Sequence, residues 1–295
     1  MKGFLSELFQ NSLYSQIFLF LWGSLGVILG SKLGLFTLPP SIDRKKIPVS
    51  FLSLLQIFAL FVLATFFLGP VCQLLLRHCN SLFPTQSASF SPFSSAFQVF
   101  TTFLILIWFS FRFQKESLLF FFAPPIQARP SLMNNILVSL LGWLCIFPVV
   151  NFVHNLLTSA ILYLFHLPEL PDQVAVEFLK MSLSSTPAFF LALLMIIVLA
   201  PVTEELLFRG FLQNWLKKHL GRNPALFFSS LAFAFFHFSF LQGLNNIPII
   251  STLFILGLAL GFIYERQHSL SASILLHSFF NLASALNFAY LQGSP

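Results

Sequence analysis

The stretch Phe189–Arg209 reads FFLALLMIIVLAPVTEELLFR: twelve apolar residues, a proline, two adjacent glutamates and, four residues after the second, an arginine. The apolar run is what a helix solvated by lipid requires, since a span needs about 20 mostly apolar residues. The charges that follow are what such a helix resists. A charged side chain at the bilayer centre costs about 2.5–3.5 kcal/mol on insertion scales, so charges in this setting mark a site. Only nine acidic residues occur in 295, and two of them stand side by side here.

The rest of the chain agrees with a membrane setting. Charged residues make up 8% and hydrophobic residues 57%, whereas a soluble domain carries about 25% charged residues. Eight apolar segments run roughly over 13–30, 49–76, 93–111, 133–165, 187–208, 224–240, 247–264 and 270–291. They predict an all-α, polytopic bundle of about eight transmembrane helices. Gly69-Pro70 stands near the end of the second, and Pro148 in the fourth predicts a kink, a break or a re-entrant turn. His154, beside Asn151 and Asn155 in that fourth segment, reads as a polar contact. Residues 1–180 form variable N-terminal helices, and 187–291 form a four-helix core that holds nearly all the intramembrane polar groups.

Net charge is +6, but the basic residues are dispersed between apolar runs and form no nucleic-acid stripe. They set topology instead. With the loop 31–48 placed in the cytoplasm, Lys32, Arg44, Lys45, Lys46, Arg112, Lys115, Arg129, Lys217, Lys218, Arg222 and Arg266 share that side. Lys2, Arg77 and Lys180 lie opposite, eleven against three. This arrangement puts both termini outside and predicts a multi-pass protein, of a bacterial inner membrane, with membrane lipids as partners. Cys72, Cys79 and Cys145 form no CxxC pair, so neither a disulfide framework nor a cysteine zinc site is indicated. The first helix reads as uncleaved. Lys217–Arg222 reads as an interfacial turn after a modestly amphipathic stretch.

Three elements can do chemistry. Glu205 and Arg209, four apart, meet on one helix face, while Glu204 is turned about 100° away. One carboxylate is neutralised and the other is left free, which suits a general base; a plain salt bridge at a helix end is the alternative. His237 follows Phe233 by one turn in an apolar helix, where a hydrogen-bonded core histidine would look the same. His277 and Asn281 share a face and could donate to an oxyanion or act as interhelical polar contacts. A His-Glu-x-x-His motif, a Gly-x-Ser-x-Gly elbow and a phosphate-binding loop are all absent from the sequence, which removes those hydrolase and nucleotide classes.

In order, Glu204-Glu205-Leu-Leu-Phe-Arg209, Phe233-Ala-Phe-Phe-His237 and His277-Ser-Phe-Phe-Asn281 resemble the CPBP intramembrane proteases. These include the type II CAAX prenyl endopeptidases and the Abi, bacteriocin-processing proteins. The flanking Ala200-Pro201 and Phe208-Arg209-Gly210 fit the same pattern, and the resemblance covers about residues 187–291. It implies an endopeptidase acting on a membrane-associated protein or peptide, with prenylated CAAX-like substrates among its possibilities, and a site toward the cytoplasm. Glu204 would activate water and His237 would hold it. His277 and Asn281 would stabilise the tetrahedral intermediate, with Glu205, Arg209 and Phe233 supporting them. No cofactor is favoured. If zinc or another divalent metal takes part, His237, His277 and Glu204 are its ligands. Other readings of the same residues are a non-catalytic immunity or scaffold protein, or a proton-coupled transporter relaying through Glu204.

These segment bounds carry a geometric conflict. Glu204 falls near the cytoplasmic end of its helix, whereas His237 and His277 lie about 20 Å and 10 Å in from that side. The three converge only if helices tilt, Pro201 kinks its helix, or segment ends move.

Overall fold

Helix is the only regular structure among the described residues, as lipid demands of a backbone that must satisfy its own hydrogen bonds. The computed structural model describes residues 2–68, 71, 92–122, 130–183 and 185–293. In chain order these form α1 (Lys2–Lys32), α2 (Phe51–Leu63), α3 (Pro92–Phe113), α4 (Lys115–Phe122), α5 (Leu132–Phe165), α6 (Val174–Ser182), α7 (Thr186–Leu220), α8 (Arg222–Phe235), α9 (Asn246–Gln267) and α10 (Leu270–Gly293). Gly69-Pro70, Cys72, Cys79 and Arg129 lie outside the described residues.

Among the described residues, five helical stretches are long and apolar enough to cross a membrane: Ala96–Phe113, Leu132–Phe165, Thr186–Leu220, Phe240–Gln267 and Leu270–Ala289. Gln16–Lys32 and Phe51–Phe67 are shorter apolar helices, and α8 has 14 residues. The expected count of about eight spans is not confirmed: the described residues hold five helices of membrane length. Phe18, Leu25, Phe66, Trp108 and Phe190 are exposed on the outside, a surface suited to acyl chains and not to water.

Local chemistry sets the helix ends. Ser50 and Ser131 accept the N–H of Ser53 and Asn134 to cap α2 and α5, taking up donors that the first turn leaves unpaired. Gly221 ends α7 at φ 93°, where a side chain would be strained and would also meet the Arg44 guanidinium, 2.5 Å from an added Cβ. Pro148 does not break α5, which runs continuously from Leu132 to Phe165.

α5 is the central helix, packing against α1, α9 and α10. On α1, Gly26 brings the backbones together: a Cβ there would sit 2.9 Å from the Leu144 carbonyl. The Cys145 thiol donates to the Gly26 carbonyl at 3.1 Å. Trp22, Trp143, Phe147 and Phe280 extend this contact as an aromatic row to α10.

Two elements depart from the expected segments. The loop after α3 folds into α4, whose Phe120 and Phe121 are buried; Phe121 packs edge-on against Phe211 of α7. More consequential, α7 does not stop at Phe208 but continues to Leu220. Its charges are paired with neighbouring helices, so hydropathy alone ends the helix a full 12 residues early. Lys217 is consequently buried and not part of an interfacial turn.

Candidate active site

α7 carries two wide turns, Met195–Leu199 and Leu206–Gln213, in which backbone bonds span five residues. Such turns are rare and favour functional positions. Glu204 and Glu205 lie on the six-residue α-helical piece between them. Because α7 continues to Leu220, Glu204 stands sixteen residues, roughly 24 Å of helix, from that end. His237 lies at a matching depth, just past the end of α8. α10 begins already inside the protein, with Ser269, Leu270 and Ala272 buried. The later end of α7 thus brings Glu204 to the depth of His237.

Glu205 is fully buried and its oxygens are fully used. Arg209 Nη1 donates to Oε1 at 2.9 Å, His277 Nδ1 to the same oxygen at 3.0 Å, and the Ser273 hydroxyl to Oε2. Arg209, equally buried, gives Nη2 to the Gly257 carbonyl of α9 at 3.1 Å. Its guanidinium lies 4.4 Å from the centroid of the Phe233 ring, a cation–π contact that desolvation strengthens. Phe233 in turn touches both imidazoles edge-on, with centroids 4.9 Å from His237 and 5.8 Å from His277.

Glu204 is the carboxylate left over. Its Oε2 is 3.8 Å from His237 Nε2 and 3.8 Å from His277 Nε2. The other ring nitrogens fix the tautomers. His237 Nδ1 meets the Phe233 carbonyl at 2.8 Å and His277 Nδ1 meets Glu205, so both Nδ1 atoms carry hydrogen and donate. Both Nε2 atoms then face Glu204 across a gap too wide for a direct hydrogen bond. Glu204 and His237 are partly exposed, with 20% and 29% of the side chain accessible against 5% for His277. The site therefore opens on their side.

Asn281, one turn beyond His277, donates from Nδ2 to the Ile196 carbonyl of α7 at 2.9 Å. The zinc ligand set fits poorly. Tetrahedral donors around a zinc lie about 3.3 Å apart, closer than the 3.8 Å pairs here. Among the described residues, no group of three His, Cys, Asp or Glu is arranged to hold a metal ion.

Residues 186–283 match the family model described as Type II CAAX prenyl endopeptidase Rce1-like. This part of the chain is a domain of that protease family. No curated protein and no solved structure matches the chain. Together with five helices of membrane length, the domain makes the protein an integral membrane protein. The matched span includes all seven residues singled out above.

The sequence-based reading missed a polar ladder behind this site. Glu205, Arg209, Gln213 and Lys217 recur every four residues on α7 and face Gly257, Gly261 and Glu265, also four apart, on α9. Gln213 donates to the Gly261 carbonyl and to Glu265, each at 3.3 Å. Glu265, buried, also takes Lys217 Nζ at 2.7 Å and Arg222 Nε at 3.1 Å. Arg222 and Arg266 reach on to the carbonyls of Pro39, Leu35 and Gly34, tying the basic loop after α1 to this end. The repeat of four was visible in the sequence. Ser273, four before His277, was visible on the same ground.

Proposed function

We propose that the protein is an intramembrane endopeptidase in which Glu204 activates water against a peptide bond of a membrane-associated substrate. The observation that carries this reading is the division of labour between adjacent carboxylates. Glu205 is saturated by Arg209, Ser273 and His277, while Glu204 is held only by the approach of two imidazole Nε2 atoms at 3.8 Å. A water between them would donate one hydrogen to Glu204 and the other to His237 Nε2, leaving its lone pair for a substrate carbonyl. As the oxygen–carbon bond forms, Glu204 takes the proton. As the carbon–nitrogen bond breaks, that proton passes to the leaving nitrogen. His277, held at Nδ1 by Glu205, points Nε2 at the same gap, where we place the oxyanion.

Family membership supports a peptide substrate, and prenylated C-terminal peptides are the substrate class we propose. The site is proposed to face the cytoplasm, on the strength of the basic loops. The test is mass spectrometry of a farnesylated and an unmodified peptide incubated with purified protein, with and without a strong chelator. The expected result is cleavage of the farnesylated peptide, undiminished by chelation. Loss on chelation and recovery with zinc would instead make His237, His277 and Glu204 ligands.

A further inference from the structure

The backbone of α7 is missing a donor at its first wide turn. The Ala200 N–H bonds to the Met195 carbonyl, five residues back. In that register the next donor would be the N–H of residue 201, and its acceptor the carbonyl of Ile196. Residue 201 is proline and has no N–H. A carbonyl left without a donor inside a bilayer is costly. The donor comes instead from α10, where Asn281 Nδ2 reaches Ile196 O at 2.9 Å.

We infer that Asn281 is a positioning residue whose side-chain amide replaces the hydrogen-bond donor that Pro201 lacks, pinning the wide turn of α7 to α10 just ahead of Glu204. The consequence for the site is rotational. A wide turn adds one residue to a helical turn, so everything after it is rotated by about 100° relative to an uninterrupted helix. Glu204 follows Pro201 by three residues, and its orientation toward His237 and His277 depends on that turn persisting.

The second wide turn shows the same device. Asn214 Nδ2 donates to the carbonyls of Arg209 at 3.1 Å and Gly210 at 2.8 Å, both inside Leu206–Gln213. The two glutamates are thus held on a short helical piece between two turns, each completed by an asparagine amide. One N–H of the Asn281 amide is engaged by a backbone atom eight residues, roughly 12 Å of helix, before Glu204; the amide carries a second N–H.

The inference rests on the proposed peptidase reading only for its kinetic readout. The experiment is a cycle of wild type, Asn281→Ala, Pro201→Ala and the double variant, with melting temperature, kcat and KM measured in one detergent. Asn281→Ala alone should lower the melting temperature by a few degrees and kcat by about fivefold or more, with KM within about twofold, as expected for one unsatisfied buried acceptor. With alanine at 201 a backbone N–H is available to Ile196. The same substitution should then cost less than about a third as much in both readouts. An Asn281 that donates to the oxyanion would instead lose roughly 10²–10³ in kcat in either background, with no coupling in melting temperature, and that result overturns the inference. If no peptide is cleaved at all, the proposed function fails separately. The melting cycle still decides, because additive effects of the two substitutions would exclude the shared bond.

Discussion

The N-terminal helices α1–α5 and the C-terminal helices α7–α10 share one solvent but bury different chemistry. In the first group side-chain hydrogen bonds join neutral groups, and Ser139 of α5 reaches the Ala272 carbonyl of α10 at 2.7 Å. Thr101 bonds the Phe97 carbonyl of its own helix at 2.8 Å, Asn151 that of Phe147 at 2.8 Å, and Cys145 that of Gly26 at 3.1 Å. Cohesion there comes from small residues and aromatic rings. In the second group, full charges are buried and paired: Arg209 with Glu205 one turn earlier on α7 and with the α9 backbone, Lys217 and Arg222 with Glu265 of α9. The first arrangement is a packing solution to life in lipid. The second costs desolvation at every charge, and its evident product is one carboxylate, Glu204, that is left unpaired where two imidazoles face it.

Substitutions in the two regions should therefore fail differently. The largest loss of stability is expected for Arg209→Ala, which strands the Glu205 carboxylate. An unpaired buried charge costs about 3–5 kcal/mol, so the melting temperature should fall by roughly 10 °C and turnover should fall with it. A drop no larger than that of a packing variant would break the comparison.

Gly26→Ala supplies that packing variant. The added Cβ would lie 2.9 Å from the Leu144 carbonyl and 3.1 Å from Cys145 Cα, both backbone atoms, so α1 must move off α5. Overpacking of this kind costs about 1–3 kcal/mol. The melting temperature should fall by several degrees while turnover per folded molecule is kept. Lost turnover in the folded fraction would show that the two regions are coupled more tightly than their chemistry suggests.

The smallest effect is a pH dependence at the basic end. Burial first, and then the charge of Lys217, push the His268 imidazole below its ordinary 6.5. A folded-state value below the unfolded one means that unfolding takes up protons, so stability is complete above pH 6.5 and is lost as pH falls through the folded-state value. Thermal melts between pH 7.5 and 5.5 should show this slope in the wild type. His268→Asn should flatten it, and asparagine also tolerates the φ of 48° at this position. An unchanged slope in the variant would assign the titration elsewhere.

Much of this architecture was legible in the chain. Each apolar segment contains helix, and the four-residue spacing of Glu205 and Arg209 correctly joined them while freeing Glu204. Hydropathy misjudged the places where charge is hidden by tertiary pairing. It ended α7 at Phe208 because Arg209, Lys217 and Lys218 look like an interface, although Arg209 and Lys217 are buried against α9 residues that lie 48 positions later in the chain. It counted Lys217, Arg222 and Arg266 as topology markers alone, although they also clamp Glu265 and the loop after α1. The wide turns of α7 were not visible at all, since neither apolar periodicity nor residue spacing marks them. Pro201 was noted only as a possible kink, with nothing to connect it to Asn281.

The central claim is that adjacent glutamates do opposite jobs, one held and one free. Turnover and melting temperature of Glu204→Gln, measured beside the wild type in the same detergent, test it most directly. Glutamine keeps the shape and removes the base. The account predicts melting within a degree or two of wild type and a loss of turnover of about 10²–10⁴. Near-normal turnover, or a melting temperature as low as that of Arg209→Ala, would contradict it and make Glu204 a structural residue.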